Sequence, residues 1–142
     1  MLKECIEGLN LKTDGIYFDG TLGGAGHSYE ILKNSSPDGR LIATDLDGQA
    51  IERAKIRLSE FDGRYTLVND NYKNFKNIIN GLGVDNVDGI LLDFGVSSFQ
   101  LDDSSRGFSY IARESKLDMR MDQSQSFSAK DVVNEYSESE LA

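Results

Sequence analysis

Apolar positions recur along this chain in two alternating rhythms. Leu2, Ile6 and Leu9 repeat at helical spacing and predict a short opening helix. Ile16-Tyr17-Phe18 is a continuous apolar run of strand length that stops at Asp19-Gly20. A helix is predicted from about Ser28, with Ile31 and Leu32 turned inward, and a second strand at Leu41-Ile42-Ala43-Thr44 ends at Asp45. Ala50, Ile51, Ala54, Ile56 and Leu58 mark an amphipathic helix over residues 49–61. Residues 65–68 form the next strand, closed by Asp70. Phe75, Ile78, Ile79 and Leu82 then predict a helix that stops at Gly83. Residues 87–92, broken only by Asp88 and Gly89, are the most apolar strand and end at Asp93. Strands and helices in alternation, with short connections, predict right-handed βαβ units. The fold class is therefore α/β, a Rossmann-like parallel sheet with flanking helices.

After Asp93 the rhythm breaks. Residues 95–121 are rich in Ser, Asp, Gly and Arg, show no sustained period, and read as a long loop. Ser128 with Asp131, and Ser137 with Glu140, have the spacing of capped helix starts. A helix that starts so near the last residue predicts a chain cut rather than finished, with its sheet incomplete. Residues 1–100 form the predicted core, and residues 101–142 a long loop leading into helices.

Composition narrows the possible functions. Of 142 residues, 39% are hydrophobic and 27% charged, which suits a globular domain, and no apolar run is long enough for a membrane span. Nothing reads as a signal peptide. The single cysteine, Cys5, excludes an internal disulfide, and with the single histidine, His27, it leaves no metal cluster to expect. A reducing, cytoplasmic setting follows. Cys5 lies on the apolar face of the first helix and reads as core rather than nucleophile. The net charge of −9 argues against a stand-alone nucleic-acid binder. Between residues 101 and 122 the signs nearly balance, through Arg106, Arg113, Lys116 and Arg120, so any RNA contact is expected there rather than in the acidic last residues.

The strongest local chemistry is Asp19-Gly20-Thr21-Leu22-Gly23-Gly24-Ala25-Gly26-His27, directly after the first strand. Its glycines let the backbone turn tightly and approach a ligand without a Cβ in the way. Ligands of open parallel sheets bind beyond the carboxyl ends of the strands. The spacing is not that of the dinucleotide fingerprint. Asp19 at the loop mouth suits a cationic ligand better than a pyrophosphate, and S-adenosylmethionine carries a sulfonium and an ammonium. Asp45 is placed to accept both ribose hydroxyls, a role that NAD enzymes also give to an acid. Turns and helix caps would explain any one of these residues. Strands ending in Asp19, Asp45 and Asp93 on one edge favour an adenosine cofactor. His27, at a helix start, orders the loop or meets the cofactor carboxylate; general base catalysis is a third role.

Three further blocks carry a family resemblance. They are residues 88–103, reading DGILLDFGVSSFQLDD, then Arg106-Gly107-Phe108-Ser109, then Leu117-Asp118-Met119-Arg120-Met121-Asp122. With the glycine loop, they closely resemble the RsmH (MraW) family. That resemblance implies a class I methyltransferase fold and S-adenosylmethionine-dependent methylation of the N4 amine of a cytidine in the decoding centre of small-subunit (16S) ribosomal RNA. It implies cofactor contacts at Ala25, Gly26, His27, Asp45, Tyr72, Asp93 and Gln100, beside Asp19 and Gly24 of the loop. It also implies that a helical substrate-recognition insertion starts after residue 100 and continues past residue 142. Ala25 stands where the family usually has glycine, a change tolerable at negative φ. Phe99 replaces a usual proline, and the family's opening His-x-Pro-Val is absent.

Asp93 is the expected catalytic residue, accepting one N–H of the amine. Enzymes acting on exocyclic amines often carry D/N/S-P-P-Y/F at this strand end, but here it reads Asp93-Phe94-Gly95-Val96, so the aromatic platform is not identified. Arg106 and Arg120 either pair with Asp102, Asp103 and Asp118 to order the loop or contact RNA. Two competing readings are a non-catalytic cofactor-binding module and an NAD-binding domain. Self-association through an open edge of the fourth strand is expected if that strand lacks a neighbour.

Overall fold

The computed structural model describes residues 1–142. They divide into two units, Met1–Phe94 and Gly95–Ala142, a division six residues before the one expected from composition. No helix is long and apolar enough to cross a membrane.

The first unit runs α1 (Leu2–Leu9), β1 (Ile16–Asp19), α2 (Gly26–Asn34), β2 (Arg40–Thr44), α3 (Gly48–Arg57), β3 (Tyr65–Val68), α4 (Phe75–Gly81) and β4 (Gly89–Leu91). Its four strands are all parallel, in the order β3-β2-β1-β4. The alternation of the strands sorts the core into two layers. Tyr17, Leu41, Ala43 and Leu91 face Ile31 and Leu32 of α2, Ile51 and Ala54 of α3, and Cys5, Ile6 and Leu9 of α1. Phe18 and Ile42 point the other way, toward Ile79 of α4 and Val84. Phe18 meets Phe75 edge-on, with ring centroids 4.8 Å apart. Each fully buried Leu, Ile or Phe among these contributes roughly 1.5–3 kcal/mol. Cys5 thus packs against the core.

Three elements differ from the sequence reading. α3 ends at Arg57, and a separate 3-10 turn at Ser59–Phe61 carries Phe61 inward against Tyr29, 5.2 Å away. β4 is shorter than its apolar run, and nothing pairs with its outer edge, where Ile90 and Leu92 are about half exposed. Residues 95–121 are not one irregular loop. They hold α5 (Ser98–Asp102), started by a capping box between Ser97 and Gln100, and a 3-10 turn at Ser104–Arg106. Such short helices carry no readable period.

The second unit is built around Arg106, which is only 2% exposed. Its guanidinium donates to the carbonyls of Arg120 at 3.0 Å and Met121 at 3.2 Å, while Met119 N–H donates to the Arg106 carbonyl at 3.0 Å. Asp118 accepts two hydrogen bonds from the Arg120 guanidinium, at 2.9 and 2.7 Å. The carbonyls of Leu117 and Asp118 then receive the N–H groups of Lys130 and Ala129, the start of α6 (Ala129–Glu135). α6 and α7 (Glu138–Leu141) both begin with the capping boxes expected at Ser128 and Ser137. Both arginines therefore order the segment, Arg120 through Asp118 and Arg106 through the carbonyls of Arg120 and Met121, while Asp103 accepts from Ser105.

Gly107 sits where a side chain has no room. Its φ is +76°, and a Cβ there would lie 2.4 Å from the Lys116 carbonyl oxygen and 2.7 Å from the Asp118 nitrogen. Gly107→Ala should remove about 2 kcal/mol or more from this unit, since the left-handed conformation alone costs about 1–2 kcal/mol. Faster hydrogen exchange at Met119 and Ala129 would register it, and wild-type protection would contradict it. Acid provides a second test. The Arg120 guanidinium holds Asp118 at about 2, below its ordinary 3.8. A depressed carboxyl stabilises the fold above its unfolded value and loses that contribution as pH falls through its folded value. Protection factors at Ala129 and Lys130 should therefore drop between those two values. Asp118→Asn should abolish that step.

Candidate active site

β1 lies where the strand order reverses, with β2 on one side and β4 on the other. Loops leaving the carboxyl ends of neighbouring strands part at such a point and open a crevice. Residues 20–25 line it. Gly20, Thr21, Leu22 and Gly23 are each fixed by a hydrogen bond to a residue at a strand end.

Asp19 closes β1 and is 1% exposed. One carboxylate oxygen accepts the Thr21 N–H at 3.0 Å and the other accepts the Ser28 hydroxyl at 2.7 Å, tying the loop to the first turn of α2. Burial pushes this carboxyl above its ordinary range, against the downward pull of those two bonds. A raised carboxyl favours the fold most at low pH and loses that contribution as pH rises through its folded value. The loop itself closes through Leu22 N–H to the Thr44 carbonyl at 3.1 Å and Ala25 N–H to the Leu22 carbonyl at 2.7 Å.

Ala25 departs from expectation. It takes φ +56°, in the left-handed region, rather than a negative value. This costs about 1–2 kcal/mol, partly offset by full burial of its methyl group, worth roughly 0.8 kcal/mol. The turn also lets α2 start at Gly26, two residues before Ser28.

Asp45 follows β2. Its carboxylate accepts Gly23 N–H at 2.7 Å and Asp47 N–H at 2.9 Å, and its carbonyl accepts from the Asn69 amide at 2.7 Å. A carboxylate offers about four acceptor positions, so roughly two remain for a ligand. Arg57, at the end of α3, donates to the Gly24 carbonyl at 2.7 Å.

Asp93 follows β4. Its N–H donates to the Thr21 hydroxyl at 2.7 Å, and its carboxylate, 57% exposed, lies 3.8 Å from His27 Nδ1. His27 Nε2 is buried without a hydrogen-bond partner. A Cβ on Gly20 would fall 2.4 Å from Leu92 Cδ2 and 2.8 Å from Tyr72 Cβ, so any larger residue here would displace its neighbours at the site. The Tyr72 ring in turn rests against Phe94, 5.9 Å between centroids.

The structure thus gathers Asp19, Gly24, Ala25, Gly26, His27, Asp45, Tyr72 and Asp93 at one edge of the first unit. Gln100 belongs to the second unit, buried, with its carboxamide oxygen accepting the Ser97 N–H at 3.0 Å and its nitrogen 3.5 Å from Met121 Sδ. Thr21, Ser28 and Arg57 were not singled out from sequence. The first two are ordinary polar residues of a loop and a helix start, and Arg57 reaches the site from 33 positions away. Acceptors at the ends of β2 and β4, on opposite sides of a bare loop, suit a long ligand with hydroxyls at one end and a reacting group at the other.

Comparison with known proteins follows the same line. The family model described as the MraW methylase family matches residues 1–142. A relative named ribosomal RNA small subunit methyltransferase H 2, from Agathobacter rectalis, is 56% identical over 138 residues, covering 97% of this chain and 44% of that protein. Ribosomal RNA small subunit methyltransferase H of Lachnospira eligens is 58% identical over 141 residues, 99% of this chain and 44% of that protein. The Clostridioides difficile protein of the same name is 53% identical, with 99% and 45% covered. The chain therefore spans less than half the length of these relatives. Among solved structures, a candidate rRNA methylase from Clostridium thermocellum superposes with a TM-score of 0.55 at 20% identity, over 68% of this chain and 55% of that one. NSun6 from Pyrococcus horikoshii gives 0.51 at 21% identity, over 63% and 22%. These two share the fold. With the family model matching every residue, and relatives more than half identical along nearly its whole length, the chain belongs to the MraW methylase family.

Proposed function

We propose that this chain carries the S-adenosylmethionine-binding half of a methyltransferase that modifies the N4 amine of a decoding-centre cytidine in small-subunit (16S) ribosomal RNA. The observation that carries this reading is the convergence of Asp45, the glycine loop, His27 and Asp93 at the reversal point of the sheet. The names of the curated relatives, methyltransferases of small-subunit ribosomal RNA, support the substrate class. A cytoplasmic setting suits that substrate.

The residues fit the cofactor. Asp45 retains acceptor capacity for two ribose hydroxyls, and the orphaned Nε2 of His27 is a polar atom that a bound carboxylate would satisfy. Gly24 and Gly26 leave the loop without side chains, and Asp19 behind it adds negative charge toward a sulfonium and an ammonium. Tyr72 offers a ring to adenine.

S-adenosylmethionine, when bound, supplies an electrophilic methyl group on sulfur. The cytosine amine is a weak nucleophile because its lone pair is delocalised into the ring. Asp93 accepts one amine N–H and so localises that lone pair toward the methyl carbon. In the transfer the amine would give up one proton, and Asp93 would be the group that receives it. The protein contributes mainly by holding the reacting atoms close and in line.

Calorimetric titration should give S-adenosylmethionine binding by this chain, weakened about tenfold to a hundredfold in Asp45→Ala, as expected for lost hydrogen bonds to a charged acceptor. That substitution also releases Gly23 N–H, so melting temperature is measured alongside. Undiminished affinity would remove Asp45 from the site. In a protein of the relatives' full length, Asp93→Asn should preserve the fold while lowering methyl transfer to small ribosomal subunits about a hundredfold or more. Unchanged turnover would exclude Asp93 from the chemistry.

A further inference from the structure

We infer that Phe94 is the stacking face for the acceptor cytosine, so that Asp93 and Phe94, adjacent in the chain, grip the base by its edge and its face. This rests on the methyltransferase reading above.

Phe94 ends the first unit and is 70% exposed, directly after the half-exposed carboxylate of Asp93. The Tyr72 ring backs it at 5.9 Å, tilted by 55°, which leaves the rest of the Phe94 ring open. Scattered exposed apolar residues are ordinary. This one is tied to the site through its neighbour, whose N–H is held by Thr21. Strand order then decides which ring system it meets. β4 lies across β1 from β2, so the residues following β4 are on the far side of the glycine loop from Asp45. With Asp45 on the ribose, the adenosine half of the cofactor lies toward β2 and β3, and the end of β4 is left to the acceptor.

Cytosine has an apolar face and an amine on its edge. A ring stacked on Phe94 presents that edge to the residue before it, where Asp93 accepts an N–H. Nucleobases taken out of a helix are held in this way, stacked on aromatic rings and hydrogen-bonded along their edges. The spacing motif puts an aromatic three residues after the acid, where this chain has Val96. Phe94 performs that task from the next position.

The test uses cytidine as probe and the chain saturated with S-adenosylhomocysteine, so that no methyl can transfer. Saturation-transfer NMR on the cytidine ring protons should detect binding to the wild-type chain and to Phe94→Tyr. Affinity should fall about tenfold or more in Phe94→Ala. Uridine, with an oxygen in place of the amine, should bind more weakly than cytidine. S-adenosylmethionine affinity, measured by calorimetry, should be the same in Phe94→Ala as in wild type. Unchanged cytidine affinity in Phe94→Ala would overturn the inference, as would a wild-type complex that shows no cytidine signal. Loss of cofactor affinity in Phe94→Ala would put the ring on adenine instead. A wild-type chain that binds no S-adenosylmethionine would overturn the cofactor reading itself, and the calorimetry separates that failure from the others.

Discussion

The site depends on carboxylates that accept hydrogen bonds from the loop backbone. Asp19 is desolvated at the end of β1, and its bonds from Thr21 and Ser28 repay part of that penalty while fixing both ends of the glycine loop. Asp45 anchors the middle of the loop through Gly23. Thr21 then passes the order on, because its hydroxyl receives the Asp93 N–H and so sets the end of β4 relative to β1. Without these bonds, a segment this rich in glycine would have little to oppose its conformational entropy.

Parallel topology turns this local order into chemistry. All four strands deliver their carboxyl ends to one edge, and reversal of the strand order at β1 separates Asp45 from Asp93. The same acidic residue type can then serve two purposes. Asp45 keeps two of its acceptor positions occupied by backbone, which orients the remainder. Asp93 commits only its backbone to the framework, and its carboxylate stays half exposed beside His27.

The second unit is stabilised differently. Its most buried large side chain is an arginine, whose guanidinium donates to two backbone carbonyl oxygens and lies 6.0 Å from the Phe108 ring centroid. A buried guanidinium is costly unless its donors are met, and the arch of residues 117–122 offers two carbonyl acceptors to one of its terminal nitrogens. This explains why two arginines, two acids and a glycine recur in one short stretch. They form a frame that also receives the first turn of α6.

The sequence alone determined whatever depends on near neighbours. Strand identity followed from short apolar runs such as Ile16-Tyr17-Phe18, strand ends from Asp19, Asp45 and Asp93, and helix starts from Ser-x-x-acid spacings, because each rests on interactions within a few residues. What lay further apart was decided by the tertiary structure. The left-handed turn at Ala25 is imposed by the loop's closure against β2, not by the alanine. The engagement of Arg57 with Gly24, and of Thr21 with Asp93, joins positions 33 and 72 residues apart. The burial of Arg106 and the exposure of Phe94 were likewise decided by the fold. Those are properties of the folded surface that a linear pattern of residue types does not contain.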